Sequence, residues 1–255
     1  MSVLLVDAGN TRLKWALLRG TRLGRAHALD WNARNMERVA RAVLRTRAER
    51  VLVCSVAGAA FERALRRAAR AAGQRRPQFV RSTRRAAGVR NGYLDTWRLG
   101  ADRWVAMLGA RSLVAGRALC VVDIGTAFTL DLLDRQGRHR GGLIVPGPTL
   151  MVDSLLQDTA GIRRRAGRNV RATRRPGSAF GRSTRAGLLA GSAMACAALV
   201  ERALREARRE LADRPLLLLS GGAAAQVAPL LTVAHRRVDG LVLHGLAVLA
   251  RLESR

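Results

Sequence analysis

Lysine is almost absent from this chain. Its 255 residues carry 46 lysines and arginines, yet only one is a lysine, Lys14. Acidic residues are also scarce, 18 against those 46, which leaves a net charge of +28. Aromatic residues make up 4% of the chain, with a single tyrosine. So few rings provide little platform for stacking single-stranded bases. The excess charge is therefore read as compositional: arginine and alanine recur throughout, at helical spacing on solvent faces such as Arg63, Arg66, Arg67 and Arg70. Attraction of anionic ligands follows from it as a by-product. The three cysteines, Cys54, Cys120 and Cys196, are far apart and lie among apolar neighbours. Without a Cys-x-x-Cys pair or a Cys/His cluster, a metal framework or disulfide scaffold is not expected. Buried free thiols in a reducing compartment are, and a cytoplasmic protein fits them. The apolar runs look short and interrupted, so no span of about 20 residues for a bilayer is expected. No basic region precedes the first apolar run, so no signal peptide is expected either.

What is present is a well-proportioned globular composition, 49% apolar and 25% charged. The first segment, residues 3–7, reads as a buried strand, because a short apolar run bounded by a turn has that form. Residues 12–18 read as its hairpin partner and 22–29 as a third strand. Helix is expected at 34–47, 59–72, 102–114, 148–157, 184–210 and 240–252. Further strands are expected at 51–55, 78–80, 118–123, 128–133, around 141–147, and at 216–219. Residues 81–98 read as irregular, and 161–182 as an arginine- and glycine-rich loop.

One pattern recurs. A strand ending in Asp7, then Gly9-Asn10-Thr11 and a hairpin, returns as a strand ending in Asp123, then Gly125-Thr126 and a hairpin. An echo of this length reads as a duplicated lobe. Strands and helices alternate after each hairpin, which favours α/β layers. The expected architecture is thus two similar α/β lobes, 1–116 and 117–255, with a cleft between them.

In Asp-x-Gly-x-Thr at a strand end, glycine permits a tight turn and close approach of a bulky anion. Turn amides and the Asn and Thr side chains can donate to phosphate oxygens. Lys14 adds a compact positive charge for the same oxygens. The aspartate suits a hydrated Mg²⁺ that bridges the phosphates. Ser220-Gly221-Gly222-Ala223, between a strand and a helix, is a third small-residue corner. Asp102, in Gly100-Ala101-Asp102-Arg103, stands at the start of a helical pattern. On the residues alone it is an N-terminal helix aspartate first, and a base facing a substrate second.

Together these segments resemble the acetate and sugar kinase/Hsc70/actin superfamily. More narrowly, they resemble type III pantothenate kinases. The resemblance runs nearly end to end, through Asp7 to Trp15, Gly100 to Arg103, Asp123 to Ala127, Gly141 to Gly147, Ser183 to Ala186 before Gly191, and Ser220 to Ala223. Gly-Ala-Asp-Arg is its most specific part. The resemblance implies two actin-like, ribonuclease H-like lobes and transfer of the ATP γ-phosphoryl to the hydroxyl of pantothenate, the first step towards coenzyme A. It implies ATP contacts at Asp7, Ala8, Gly9, Asn10, Thr11, Arg12, Leu13, Lys14 and Thr126. Asp102 becomes the general base, which reverses the order of its two readings. Tyr93, Gly100, Ala101, Asp102, Arg103 and Thr184 line the pantothenate site. Asp123 holds a monovalent cation, K⁺ or NH₄⁺, and Mg²⁺ accompanies ATP. A homodimer sharing the substrate pocket is also implied, with the apolar stripe of 184–210 as the candidate contact. Two other readings remain open at this stage: an accessory transcription regulator of the same fold, and a superfamily kinase acting on a different acceptor. Neither a membrane nor a nucleic-acid partner is expected.

Overall fold

A computed structural model describes residues 1–166 and 180–253. In chain order the elements are β1 (Ser2–Ala8), β2 (Arg12–Arg19), β3 (Arg22–Leu23), β4 (His27–Asp30), α1 (Met36–Val43), β5 (Arg50–Ser55), α2 (Gly58–Ala71), β6 (Gln78–Phe79), β7 (Arg85–Ala86), β8 (Val89–Arg90) and α3 (Ala101–Leu113). There follow β9 (Leu119–Ile124), β10 (Ala127–Leu133), β11 (His139–Pro146), α4 (Pro148–Asp158), α5 (Ala160–Ala166), α6 (Thr184–Leu211), β12 (Leu216–Ser220), α7 (Ala224–Val227), β13 (His235–Arg237) and α8 (Leu241–Leu252). Two compact units result. The first comprises Met1–Arg117, Arg135–Arg140 and Gly240–Arg255, the second Ala118–Asp134 and Gly141–Asp239.

In the first unit the sheet order is β3-β2-β1-β5-β6, with β4 added to β2. β1 runs antiparallel to β2 and parallel to β5. Its Val3-Leu4-Leu5-Val6 stretch is buried throughout, as expected of a central strand covered on both faces. α2 supplies part of that cover. Its Phe61, Ala64, Leu65, Ala68 and Ala69 are buried, the i, i+3, i+4, i+7, i+8 stripe of an amphipathic helix, while Arg63, Arg67 and Arg70 face solvent. α3 is different, with every residue from Arg103 to Ala110 buried. It packs along α8 through two glycines. A Cβ on Gly109 would come within 2.3 Å of the Leu241 carbonyl oxygen, and one on Gly245 within 1.9 Å of the Val105 carbonyl oxygen. Such a close backbone approach is open only to glycine. The C-terminal helix therefore completes the first unit, although it is the last element of the chain.

The second unit repeats the plan. Its sheet order is β11-β10-β9-β12-β13, with β9 antiparallel to β10 and parallel to β12. The echo seen in the sequence is thus an echo of topology. α4 starts with Pro148 after Gly147, a proline whose fixed φ suits the first helical turn. α6 starts at Ser183, whose side-chain oxygen accepts from the Ala186 N–H at 3.1 Å, an N-cap bond.

Three expectations change here. The segment 161–182 was expected to be a loop, but its beginning is the helix Ala160–Ala166; residues 167–179 lie outside the described residues. The expectation that no segment has the length and apolarity of a membrane span does not hold for α6. By length and composition alone it passes that test, with 39% of its most apolar window buried inside the protein. Part of the apolar stripe offered on it for a dimer contact is used inside the unit, while Met194 stays exposed. Ala190, Ala193, Cys196, Ala197, Val200 and Leu204 are buried, and most of them belong to the core shared with β9, β10 and β12. Burial of such a stripe inside a unit is what a long alanine-rich core helix supplies.

Candidate functional site

The first corner joins β1 to β2. Asp7 and Lys14 are cross-strand partners in the register, so their side chains share a face. Both are half-buried, whereas Asn10, Thr11 and Arg12 are exposed. Ala8 and Leu13 are wholly buried, so any contact they make with a ligand is through the main chain. The Gly9 N–H donates to the Arg12 carbonyl at 3.1 Å, closing the turn. Gly9 itself has an ordinary φ, and a Cβ there would lie 3.2 Å from that carbonyl. Its lack of a side chain is therefore less about backbone conformation than about keeping space open above the turn.

Behind this turn stands a residue that the sequence reading did not single out. The Trp31 indole N–H donates to the Gly9 carbonyl at 2.8 Å, and its main-chain N–H to the Thr11 carbonyl at 3.0 Å. Only its type hints at this role, since a partly buried tryptophan needs an acceptor for its one donor.

Asp102 stands in the first turn of α3. One of its carboxylate oxygens accepts from the Arg103 N–H at 2.8 Å, a favourable placement for a negative charge at a helix N-terminus. Gly100 makes room for it: a Cβ there would fall 2.6 Å from that same oxygen. The site carboxylates Asp7 and Asp102 also converge electrostatically. The Cys54 thiol, a register partner of Asp7 on β5, is pushed well above its ordinary value by burial first, then by the negative charges of Asp7 and Asp102. It stays protonated at neutral pH and contributes no thiolate.

Arg103 follows Asp102 and is 6% exposed. Its guanidinium donates to the Tyr93 hydroxyl at 3.0 Å, and lies 5.7 Å from the centre of the Tyr93 ring. Tyr93 in turn stacks on His139, with ring centres 5.7 Å apart and 13° between planes. The loop before α3, irregular by sequence, is tied down by Asn91. Its amide donates to the Thr83 and Thr96 carbonyls, and its carbonyl accepts from the Tyr93 N–H at 2.9 Å. His139 is the second residue missed. Its place on a strand 46 residues after Tyr93 leaves no local pattern to find it by.

The second corner, in the other unit, joins β9 to β10. Asp123 and Thr126 are half-buried here, and the Gly125 N–H donates to the Ala127 carbonyl at 3.0 Å. Asp123 faces Thr129 across the hairpin and Ser220 on β12. The corner is packed by backbone: the Gly147 N–H donates to the Thr126 carbonyl at 2.8 Å and the Ala223 N–H to the Ile124 carbonyl at 2.9 Å. The small-residue corner at Ser220-Gly221-Gly222-Ala223 thus leans directly on the β9–β10 corner. Thr184 opens α6, half-buried. Among the described residues no group of three or more His, Cys, Asp or Glu is arranged to cage a metal ion.

Comparison with known proteins identifies a family. The type III pantothenate kinase family matches residues 3–206. The type III pantothenate kinase of Aromatoleum aromaticum is 40% identical over 251 residues, covering 98% of each chain. Among solved structures, a putative 2-dehydro-3-deoxygalactonokinase from Sinorhizobium meliloti superposes with a TM-score of 0.60 at 14% identity, covering 98% of this chain and 99% of its own. A putative Baf family transcriptional activator from Campylobacter jejuni gives 0.58 at 17% identity, covering 99% and 100%. At these identities the structural likenesses show the fold alone.

Proposed function

The chain belongs to the type III pantothenate kinase family, and from that premise we propose that it transfers the γ-phosphoryl group of ATP to the hydroxyl of pantothenate. The observation that carries the site assignment is the pairing of a half-buried Asp7–Lys14 face with an Asp102 carboxylate for which Gly100 leaves the space. Asp102 takes the hydroxyl proton as the new O–P bond forms and the bond between the β- and γ-phosphates breaks, with ADP leaving. Phosphoryl transfer has a loose transition state, so positioning and charge neutralisation do most of the work. Lys14 and the turn Gly9 to Arg12 hold the phosphates. Arg103, fixed by Tyr93, offers its positive charge to the carboxylate of pantothenate, and Ala101 and Thr184 complete the substrate contacts. Thr126 is a further ATP contact in this reading.

The donor set fits a cation bound with its substrate rather than in a cage. Magnesium usually keeps several waters and binds through one or two carboxylates plus substrate phosphates, which suits Asp7. Asp123, half-buried at the end of β9, suits a weakly held K⁺ or NH₄⁺. When bound, these ions neutralise phosphate charge. A homodimer and a cytoplasmic location belong to the same reading. Leu94 and Trp97, 98% and 74% exposed beside Tyr93, are apolar surface that a second copy would cover; the molar mass in solution decides it. No observation favours the accessory-transcription reading.

The test is Asp102→Asn. The variant should fold and bind ATP but lose turnover by about 10²- to 10⁴-fold, the usual weight of a general base. Near wild-type turnover would remove Asp102 from that role.

A further inference from the structure

We propose that Trp31 is a positioning residue for the nucleotide, fixing the Gly9–Thr11 turn through bonds to both of its bracketing carbonyls. The inference rests on the reading of that turn as the ATP phosphate site.

The turn reaches well beyond the hairpin ladder. The last paired residues of the hairpin are Ala8 and Leu13, so four residues lie beyond the ladder, closed by the bond from Gly9 to Arg12. Trp31 supplies two further anchors at once, its indole N–H to the Gly9 carbonyl at 2.8 Å and its main-chain N–H to the Thr11 carbonyl at 3.0 Å. Carbonyl oxygens carry partial negative charge and would repel a phosphate. Both of these are occupied by Trp31, while Asn10 and Thr11 remain at the surface.

The anchor is itself braced. The indole packs on Phe61 at 4.8 Å between ring centres, and Phe61 is fully buried in the core under α2. β4 brings Trp31 into place by pairing with β2 from Arg12↔Asp30 to Trp15↔His27. An Arg12–Asp30 ion pair at 3.7 Å lies beside it, exposed and so of small weight. A continuous line of contact therefore runs from the hydrophobic core through one indole to the phosphate turn. A ligand-binding group is held in its productive geometry by supporting residues of this kind, which bond to it without touching the ligand.

The experiment is steady-state kinetics on two variants that keep a ring but lose the donor: Trp31→Phe, and β-(3-benzothienyl)alanine at position 31, which preserves the indole's shape. Each should raise KM for ATP by about three- to tenfold, the size of one hydrogen bond's net contribution. KM for pantothenate should stay within about twofold, and the shape-preserving variant should melt within about 4 °C of the wild type. An ATP KM within about twofold of wild type in the shape-preserving variant, or the two KM values rising together, would overturn the proposal. Lys14→Ala is measured alongside. If it raises the ATP KM and the Trp31 variants do not, only the role of Trp31 fails. If none of them moves it, the phosphate-site reading fails as well.

Discussion

The two corners share a topology and differ in what stands behind them. The first is backed by a side chain, the Trp31 indole on the Gly9 carbonyl. The second is backed by main chain, with Gly147 and Gly221 pressed against it. A Cβ on Gly147 would lie 2.0 Å from the Gly125 carbonyl oxygen, and one on Gly221, at φ +98°, 2.4 Å from the Ile124 carbonyl oxygen. They differ also across the hairpin. Asp7 faces Lys14, whereas Asp123 faces Thr129. Duplication has therefore preserved the strand order and the aspartate while the neighbours diverged. One corner carries fixed positive charge opposite its carboxylate. The other has a neutral hydroxyl there. The glycines of the two motifs themselves are not the strict ones. Gly9 and Gly125 have ordinary φ values; a Cβ on Gly125 would make an ordinary contact at 3.6 Å, and one on Gly9 a tight contact at 3.2 Å that a small shift of the turn can relieve.

This contrast can be broken most sharply at its glycines. Gly147→Ala and Gly221→Ala each force a methyl group into backbone, so a loss on the order of 3 kcal/mol is expected. For a chain of this size that is roughly 6–12 °C in melting temperature. Gly9→Ala should melt close to wild type and fail chiefly in ATP binding. Thermal melts of the three side by side check it; equal melting temperatures would mean that the second corner is no more tightly packed than the first.

A smaller effect tests the charge difference. Lys14→Ala should raise KM for ATP about tenfold or more, on the order of 1.4 kcal/mol, and leave KM for pantothenate nearly unchanged. Thr129→Ala, at the equivalent place, should change either by less than about twofold. An equal response at both positions would erase the proposed division of labour.

The smallest effect concerns the thiols that each unit buries. Burial pushes Cys120 up to about 12, with Asp131 adding to it, and Cys54 rises for the reasons given above. Unfolded thiols ionise from their ordinary value of 9.0. Between these values the unfolded chain binds fewer protons than the native one, so stability should be intact below pH 9 and fall as the pH rises towards 12. Cys120→Ala should flatten part of that fall in urea titrations at alkaline pH; an unchanged slope would show that the thiol ionises in the native state without cost.

Much of the fold was legible because its signals are local. An apolar run ending in aspartate, a glycine turn and a hairpin are contiguous, and the run at Val3 to Val6 needs no partner to be read as a buried strand. The helix at 59–72 showed through arginines at helical spacing, Arg63, Arg66, Arg67 and Arg70. Asp102 was legible as a helix-start residue, and its likeness to a family motif, not its spacing, suggested chemistry. Less legible was anything that depends on a distant partner. Nothing near Gly245 announces that α8 lies against α3, because the reason is the absence of side chains at two positions 136 residues apart. The length of α6 was legible, but its apolarity was underestimated because its alanines interrupt the larger apolar residues without making the helix polar.

By itself, then, the sequence determined the duplicated strand–turn–strand corners, the alternation of strands and helices around them, and the placing of the only lysine opposite an aspartate. Those follow from chain-local geometry, where a side-chain period of two or 3.6 decides which face is buried. Tertiary structure alone decided that Trp31 holds the Gly9 turn, that His139 supports Tyr93, and that the last helix completes the first unit. Each of these is a contact between residues far apart in the chain, and its partner is chosen by packing that no local pattern encodes.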